Sequence, residues 1–219
     1  LNRVTNVAGI TITGAEESPV FKVYPGTGEN GQLPMASIRD IVTDADGGMW
    51  VGTNSGGAWY KPVDSEMFTI NTISSEGYVL ASDVIQAIAV DSDGGVWFSQ
   101  SKTYNPVQAH LNRGVAYLKD GVITYYNSEV PGTIPNDYVQ AVQIDDNGNV
   151  WFGSFGGLTK YVPGNGTWTT WDQNYTDGNG NSFPALSVDN IHLDGKGGLW
   201  IGFYPNGAGT EADPFVGGF

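Results

Sequence analysis

The chain has 219 residues, 32 of them glycine, a formal net charge of −14 and no cysteine. Only nine Lys and Arg are present, which argues against nucleic acid and against anionic membrane surfaces, since both need a basic face. Disulfides and thiolate metal sites are excluded, and no apolar run approaches the roughly 18 residues of a membrane span.

Residues 3–24 read as strand segments that belong to the outside of a structural unit. Leu1-Asn2-Arg3 recurs as Leu111-Asn112-Arg113, just ahead of a third strand, and "VFKVYPGTG" from Val20 resembles "VITYYNSEVPGT" from Val122. Four copies of one pattern follow. "SIRDIVTDADGGMWVGT" begins at Ser37, "VIQAIAVDSDGGVWFSQ" at Val84, "YVQAVQIDDNGNVWFGS" at Tyr138 and "SVDNIHLDGKGGLWIGF" at Ser187. Trp50, Trp97, Trp151 and Trp200 align, each six residues after Asp44, Asp91, Asp145 and Asp194. Before each turn, Ile41 and Thr43, Ile88 and Val90, Val142 and Ile144, and Ile191 and Leu193 keep a spacing of two, which is a strand period.

Two further short runs follow the copies, such as "GAWYK" and "EMFTIN", or "GLTKYV" and "GTWTTW". Each repeat is therefore about four short strands. Units of this kind recurring every 40–50 residues or so predict an all-β fold, a β-propeller of four-stranded antiparallel blades. Blades are expected at about 37–72, 84–127 and 138–172. A composite blade would join 188–204 to 3–24, closing a single domain over 1–219. Closure hides sheet edges. The competing reading is a set of repeats from a larger ring; the sequence opens on Leu rather than Met, as a processed product or a piece of something longer would.

"DADGGMWVGTNSGG" and "DDNGNVWFGSFGG" resemble the two-component regulator propeller repeat of bacterial sensors, which is related to streptogramin-lyase-like propellers. The resemblance covers nearly the whole chain, although the second and fourth copies lose the late Gly-Gly. It implies a periplasmic or extracellular bacterial module.

The repeated Asp and Trp residues are read as structure. Asp bonds its own backbone in tight turns, Gly permits positive φ, and one Trp per blade at one register is a packing device. "DGKGG" puts Lys196 where a second carboxylate would sit, so the turns do not suit calcium, which takes six to eight oxygens. A weaker metal candidate is "DQNYTDGNGNSF", where Asp177, Asn179 and Asn181 alternate as calcium ligands do; no cofactor is otherwise expected.

Ligand-binding candidates fall in two places. Arg39, Gln86, Gln140 and Asp189 stand at the entrance of each innermost strand, with Asp40 and Asn190 beside them, and would ring one mouth of the channel. The long loop from Ser99 to Arg113 carries Lys102, Tyr104, His110 and Arg113; long loops on rigid scaffolds are where function concentrates. No nucleophile elbow, zinc motif or phosphate loop is present. The expectation is a non-catalytic extracytoplasmic module, sensor-like, that recognises a small molecule, a glycan or a protein. A structural subunit of an extracellular polymer, self-associating through its terminal strands, is the first alternative. A lyase or hydrolase of the streptogramin-lyase-like type, using His192, is the second.

Overall fold

The computed structural model describes residues 4–6, 10–13, 20–23, 32–33, 36–65, 69–70, 80, 84–101, 114–183 and 185–205. Within them every regular element is a strand. Strands β1 (Val4–Asn6), β2 (Ile10–Thr13) and β3 (Val20–Val23) precede the repeats. The first blade holds β4 (Ile38–Thr43), β5 (Met49–Thr53), β6 (Ala58–Lys61) and β7 (Thr69–Ile70). The second holds β8 (Ile85–Val90), β9 (Val96–Gln100), β10 (Gly114–Lys119) and β11 (Val122–Tyr126). The third holds β12 (Val139–Ile144), β13 (Val150–Ser154), β14 (Gly157–Val162) and β15 (Thr167–Trp171). The fourth repeat supplies β16 (Ala185–Leu193) and β17 (Leu199–Pro205).

The first three blades are four-stranded antiparallel meanders in sequence order. Strand β4 packs on β8, β8 on β12, and β12 on β16, so the first strand of each repeat lies innermost. The N-terminal segment makes three strands where two outer strands were expected. Ile10 and Ile12 alternate with threonines and form a strand of their own, and β1, β2 and β3 pair with one another. Among the described residues no pair joins β17 to β1, so the composite blade of 188–204 and 3–24 is not one of the described sheets.

The inner hairpins are built by the repeated Asp. Asp44 Oδ1 accepts the amides of Asp46 and Gly48, at 3.1 and 2.7 Å. Asp91 does the same for Asp93 and Gly95, Asp145 for Asn147 and Asn149, and Asp194 for Lys196 and Gly198. Each turn needs a left-handed residue three positions after the Asp, and Gly47, Gly94, Gly148 and Gly197 fill it with φ of 88, 79, 76 and 91°.

The second carboxylate oxygen ties the turn to the third strand. Tyr60 donates to Asp44 Oδ2 at 2.8 Å, and Tyr117 to Asp91 Oδ2 at 2.7 Å. Burial, then the Asp44 carboxylate, pushes the Tyr60 hydroxyl up to about 12. The third blade has Lys160 opposite its Trp instead of Tyr. There Asn149 replaces the glycine, and its Nδ2 takes the hydroxyl's place on Asp145 Oδ2 at 2.8 Å. The Trp151 indole adds a bond at 2.9 Å. Burial alone would raise the Asp145 carboxyl; these bonds outweigh it and hold it below the usual carboxylate value.

The core lies between blades. Trp50 meets Tyr60 at 4.7 Å and Phe98 of the second blade at 5.4 Å. Trp97 meets Tyr117 at 4.4 Å and Phe152 of the third blade at 5.4 Å. Trp151 is half-buried, against Trp171, the Lys160 ammonium and the apolar side of the fourth repeat. Trp200 departs from the column: it is 59 % exposed.

Candidate functional site

The polar column has a backbone cause. Each innermost strand carries a register shift at its entrance: Ile38/Asp40, Ile85/Ala87, Val139/Ala141 and Val188/Asn190. The unopposed residues are Arg39, Gln86, Gln140 and Asp189. Each is the extra residue of a β-bulge, and a bulge re-aims a side chain at the end of a strand. Four bulges at one register place these groups on one rim of the blades.

The loops joining second and third strands open on the same rim. In three blades the residue after the second strand bonds the residue before the first: Asn54 to Ser37, Ser101 to Val84, and Phe155 to Tyr138. Gln86 donates to Ser101 Oγ at 3.1 Å. Gln140 donates across the blade boundary to Ser187 Oγ at 3.1 Å and to Asp189 Oδ1. Ser187 donates to the same Asp189 oxygen at 2.7 Å. Arg39 and Asn190 are exposed. Phe155, also exposed, packs edge-on to Tyr138 at 5.6 Å. The rim thus combines amides, a carboxylate, hydroxyls, a guanidinium and an exposed aromatic pair.

Asp40 is directed differently from its neighbour Arg39. Its Oδ2 accepts the Ile88 amide of the second blade at 2.6 Å, and Oδ1 accepts Ile41 at 2.8 Å. It is a staple between blades. Burial raises its carboxyl above the ordinary 3.8, more than the two amides lower it. A raised value means the folded protein holds this proton more tightly. The associated stability is full below pH 3.8 and declines as pH rises through the folded value. Asp40→Asn keeps an acceptor for Ile88 and is expected to remove that decline in pH-dependent urea melts. Asp40→Ala, which strands the amide, is expected to cost about 1–3 kcal/mol. The fourth repeat already has Asn190 at this position.

Gln100 was not foreseen. It is fully buried, and neither Oε1 nor Nε2 has a hydrogen-bond partner. In the first and third blades this position holds Thr53 and Ser154, whose hydroxyls close a Gly-Gly turn. The only sequence signal was the loss of that turn after Gln100. An unpaired buried amide costs about 1–3 kcal/mol, so Gln100→Leu should raise stability by about 1 kcal/mol in equilibrium denaturation. A loss of stability would show that the amide is satisfied in solution.

Lys102, Tyr104, His110 and Arg113 lie outside the described residues. His192 is described, exposed on β16. The Asp177 segment is another hairpin corner. Asp177 Oδ1 accepts the amides of Asn179 and Asn181, and Oδ2 accepts Asn181 Nδ2 at 3.0 Å. A bridge pairs Thr176 with Ser182. The arrangement matches Asp145 with Asn149, so the Asp-Asn alternation has a complete account as a turn. The side-chain and backbone bonds from Asn181 hold the Asp177 carboxyl below its ordinary value. Among the described residues no group of three His, Cys, Asp or Glu is placed to hold a metal ion.

Successive four-stranded meanders packed through their innermost strands define a β-propeller architecture. More particularly, the chain carries two-component regulator propeller repeats: residues 32–55 and 133–156 match that family. No curated protein matches by sequence. Among solved structures, the chain is similar to the extracellular domain of a hybrid two component system from B. thetaiotaomicron. The identity is 17 %, the TM-score 0.63, and the match covers 96 % of this chain and 29 % of that one. PorZ, a surface component of the type-IX secretion system of Porphyromonas gingivalis, gives 14 % identity and a TM-score of 0.62, covering 93 % and 30 %. Virginiamycin B lyase from Staphylococcus aureus gives 17 % and 0.51, covering 83 % and 55 %. The chain spans less than a third of the first two, and identities this low speak for the fold alone.

Proposed function

We propose that this chain is a non-catalytic, extracytoplasmic binding module of the sensor type, which recognises a glycan or another neutral, hydroxyl-rich small molecule at the bulged rim. The observation that carries this reading is the repeated bulge. One side chain per repeat is turned toward one rim, where Gln140, Ser187 and Asp189 link two blades and the Phe155–Tyr138 pair lies exposed. Amide and carboxylate groups suit sugar hydroxyls, and an exposed ring suits the apolar face of a pyranose. The repeat family and the extracellular domain it resembles support an extracytoplasmic place.

The test is a glycan array followed by calorimetric titration of any hit, with Arg39→Ala and Gln140→Ala as variants. Each is expected to weaken binding about tenfold, the worth of one good hydrogen bond in a site, without lowering the melting temperature. Binding that survives both changes unaltered overturns the site. An array with no signal above the heat-denatured protein overturns the glycan.

A further inference from the structure

The free edge of β17 can be compared with its counterparts in the first three blades. There the second strand is covered by a third, paired antiparallel, and the residue opposite the repeat Trp is Tyr60, Tyr117 or Lys160. In two of them the strand begins with Gly in the left-handed region, then an apolar residue, any residue, and Tyr: Gly57-Ala58-Trp59-Tyr60 and Gly114-Val115-Ala116-Tyr117. The tyrosine ring covers the Trp, and its hydroxyl reaches Oδ2 of the turn Asp. In the fourth repeat β17 pairs only with β16 among the described strands. Trp200, in the register of Trp50 and Trp97, stands exposed.

The turn beside Trp200 specifies what fits. Gly48 and Gly95 leave room for the tyrosine hydroxyl, and a Cβ at either would collide with it. Where the third strand has Lys160 instead, the glycine is Asn149, whose amide fills that space. The fourth repeat has Gly198, the residue that accompanies tyrosine, and Asp194 presents its carboxylate as Asp44 and Asp91 do. Charge agrees. Third strands carry Lys61, Lys119 and Lys160, three of the nine basic residues of a chain at −14, and Lys119 donates to the Asp93 carbonyl in the adjoining turn.

We infer that the open edge of β17 is a strand-acceptor site. It takes an extended strand of a partner polypeptide, of the form Gly-apolar-x-Tyr with a following Lys, antiparallel to β17. The tyrosine lies over Trp200 and donates to Asp194 Oδ2. Backbone pairing along the edge supplies affinity, and the tyrosine supplies register and selectivity. The inference is independent of the rim ligand.

The probe is the hexapeptide Gly-Val-Ala-Tyr-Leu-Lys, the sequence of residues 114–119, against its Tyr→Phe analogue. The readout is the Trp200 indole N–H resonance, assigned with Trp200→Phe. A saturable shift is expected, with the Phe analogue about tenfold weaker because it lacks a bond to a charged acceptor. Gly198→Asn, which reproduces the turn of the third blade, should erase the difference between the peptides. Three results overturn the inference: no saturable shift up to about 1 mM, the weak end of specific binding; equal affinity for both peptides; or a Trp200 indole already shielded from solvent without peptide, as pairing with the chain's own N-terminal strands or with a second copy would produce. The peptide comparison on the unaltered protein stands even if Gly198→Asn does not fold.

Discussion

Trp97→Ala is expected to cost about 3–5 kcal/mol, enough to unfold much of the population of a marginally stable domain. Trp97 is 2 % exposed and touches Tyr117, Tyr126, Phe152 and Tyr161, so it joins two blades from one position. Its loss removes transfer energy and leaves a cavity that strands held by hydrogen bonds cannot collapse to fill. Trp200→Ala is the control. The residues align in sequence, yet Trp200 is 59 % exposed, and its truncation should cost less than about 1 kcal/mol. Urea melts of the two variants measure the difference. Equal losses would mean that Trp200 is packed in solution.

Asp91→Ala should cost about 3–4 kcal/mol, the second large effect, since it strips three donors of their acceptor. The amides of Asp93 and Gly95 lose Oδ1, and the Tyr117 hydroxyl loses Oδ2. Tyr117→Phe removes only the last bond and should cost about 1.5–2 kcal/mol. A double-mutant cycle between the two isolates the link from turn to third strand. If Asp91→Ala costs no more than Tyr117→Phe, the turn does not depend on the carboxylate. Added calcium should rescue neither variant; rescue would restore the metal reading of these loops.

The chain itself declared the repeat. Period two before each turn, Asp six residues ahead of Trp, and Gly where φ is positive are local requirements of a hairpin, so they are written in every copy. That is why the blades and the role of Asp44, Asp91, Asp145 and Asp194 were legible in advance. The rim column was legible as a position but not as a mechanism. Arg39, Gln86, Gln140 and Asp189 aligned in sequence, whereas the bulge that turns them outward is a property of strand pairing. Its links to Ser101 and Ser187 depend on which strand lies opposite and which blade comes next.

Burial and partnership were decided by tertiary structure. Four aligned tryptophans meet different fates, because burial depends on what stacks beside a strand, and β17 has a neighbour on one edge only among the described strands. Gln100 takes the place of a turn-closing hydroxyl, and only packing reveals that its amide is sealed in without a partner. Asp40 and Arg39 are adjacent polar residues, yet one staples two blades while the other faces solvent. Sequence determined the repeating unit because hairpin turns and strand periodicity are set by residues a few positions apart. Tertiary structure decided exposure, blade-to-blade bonding and the open edge, because those are set by residues about fifty positions apart, one repeat away.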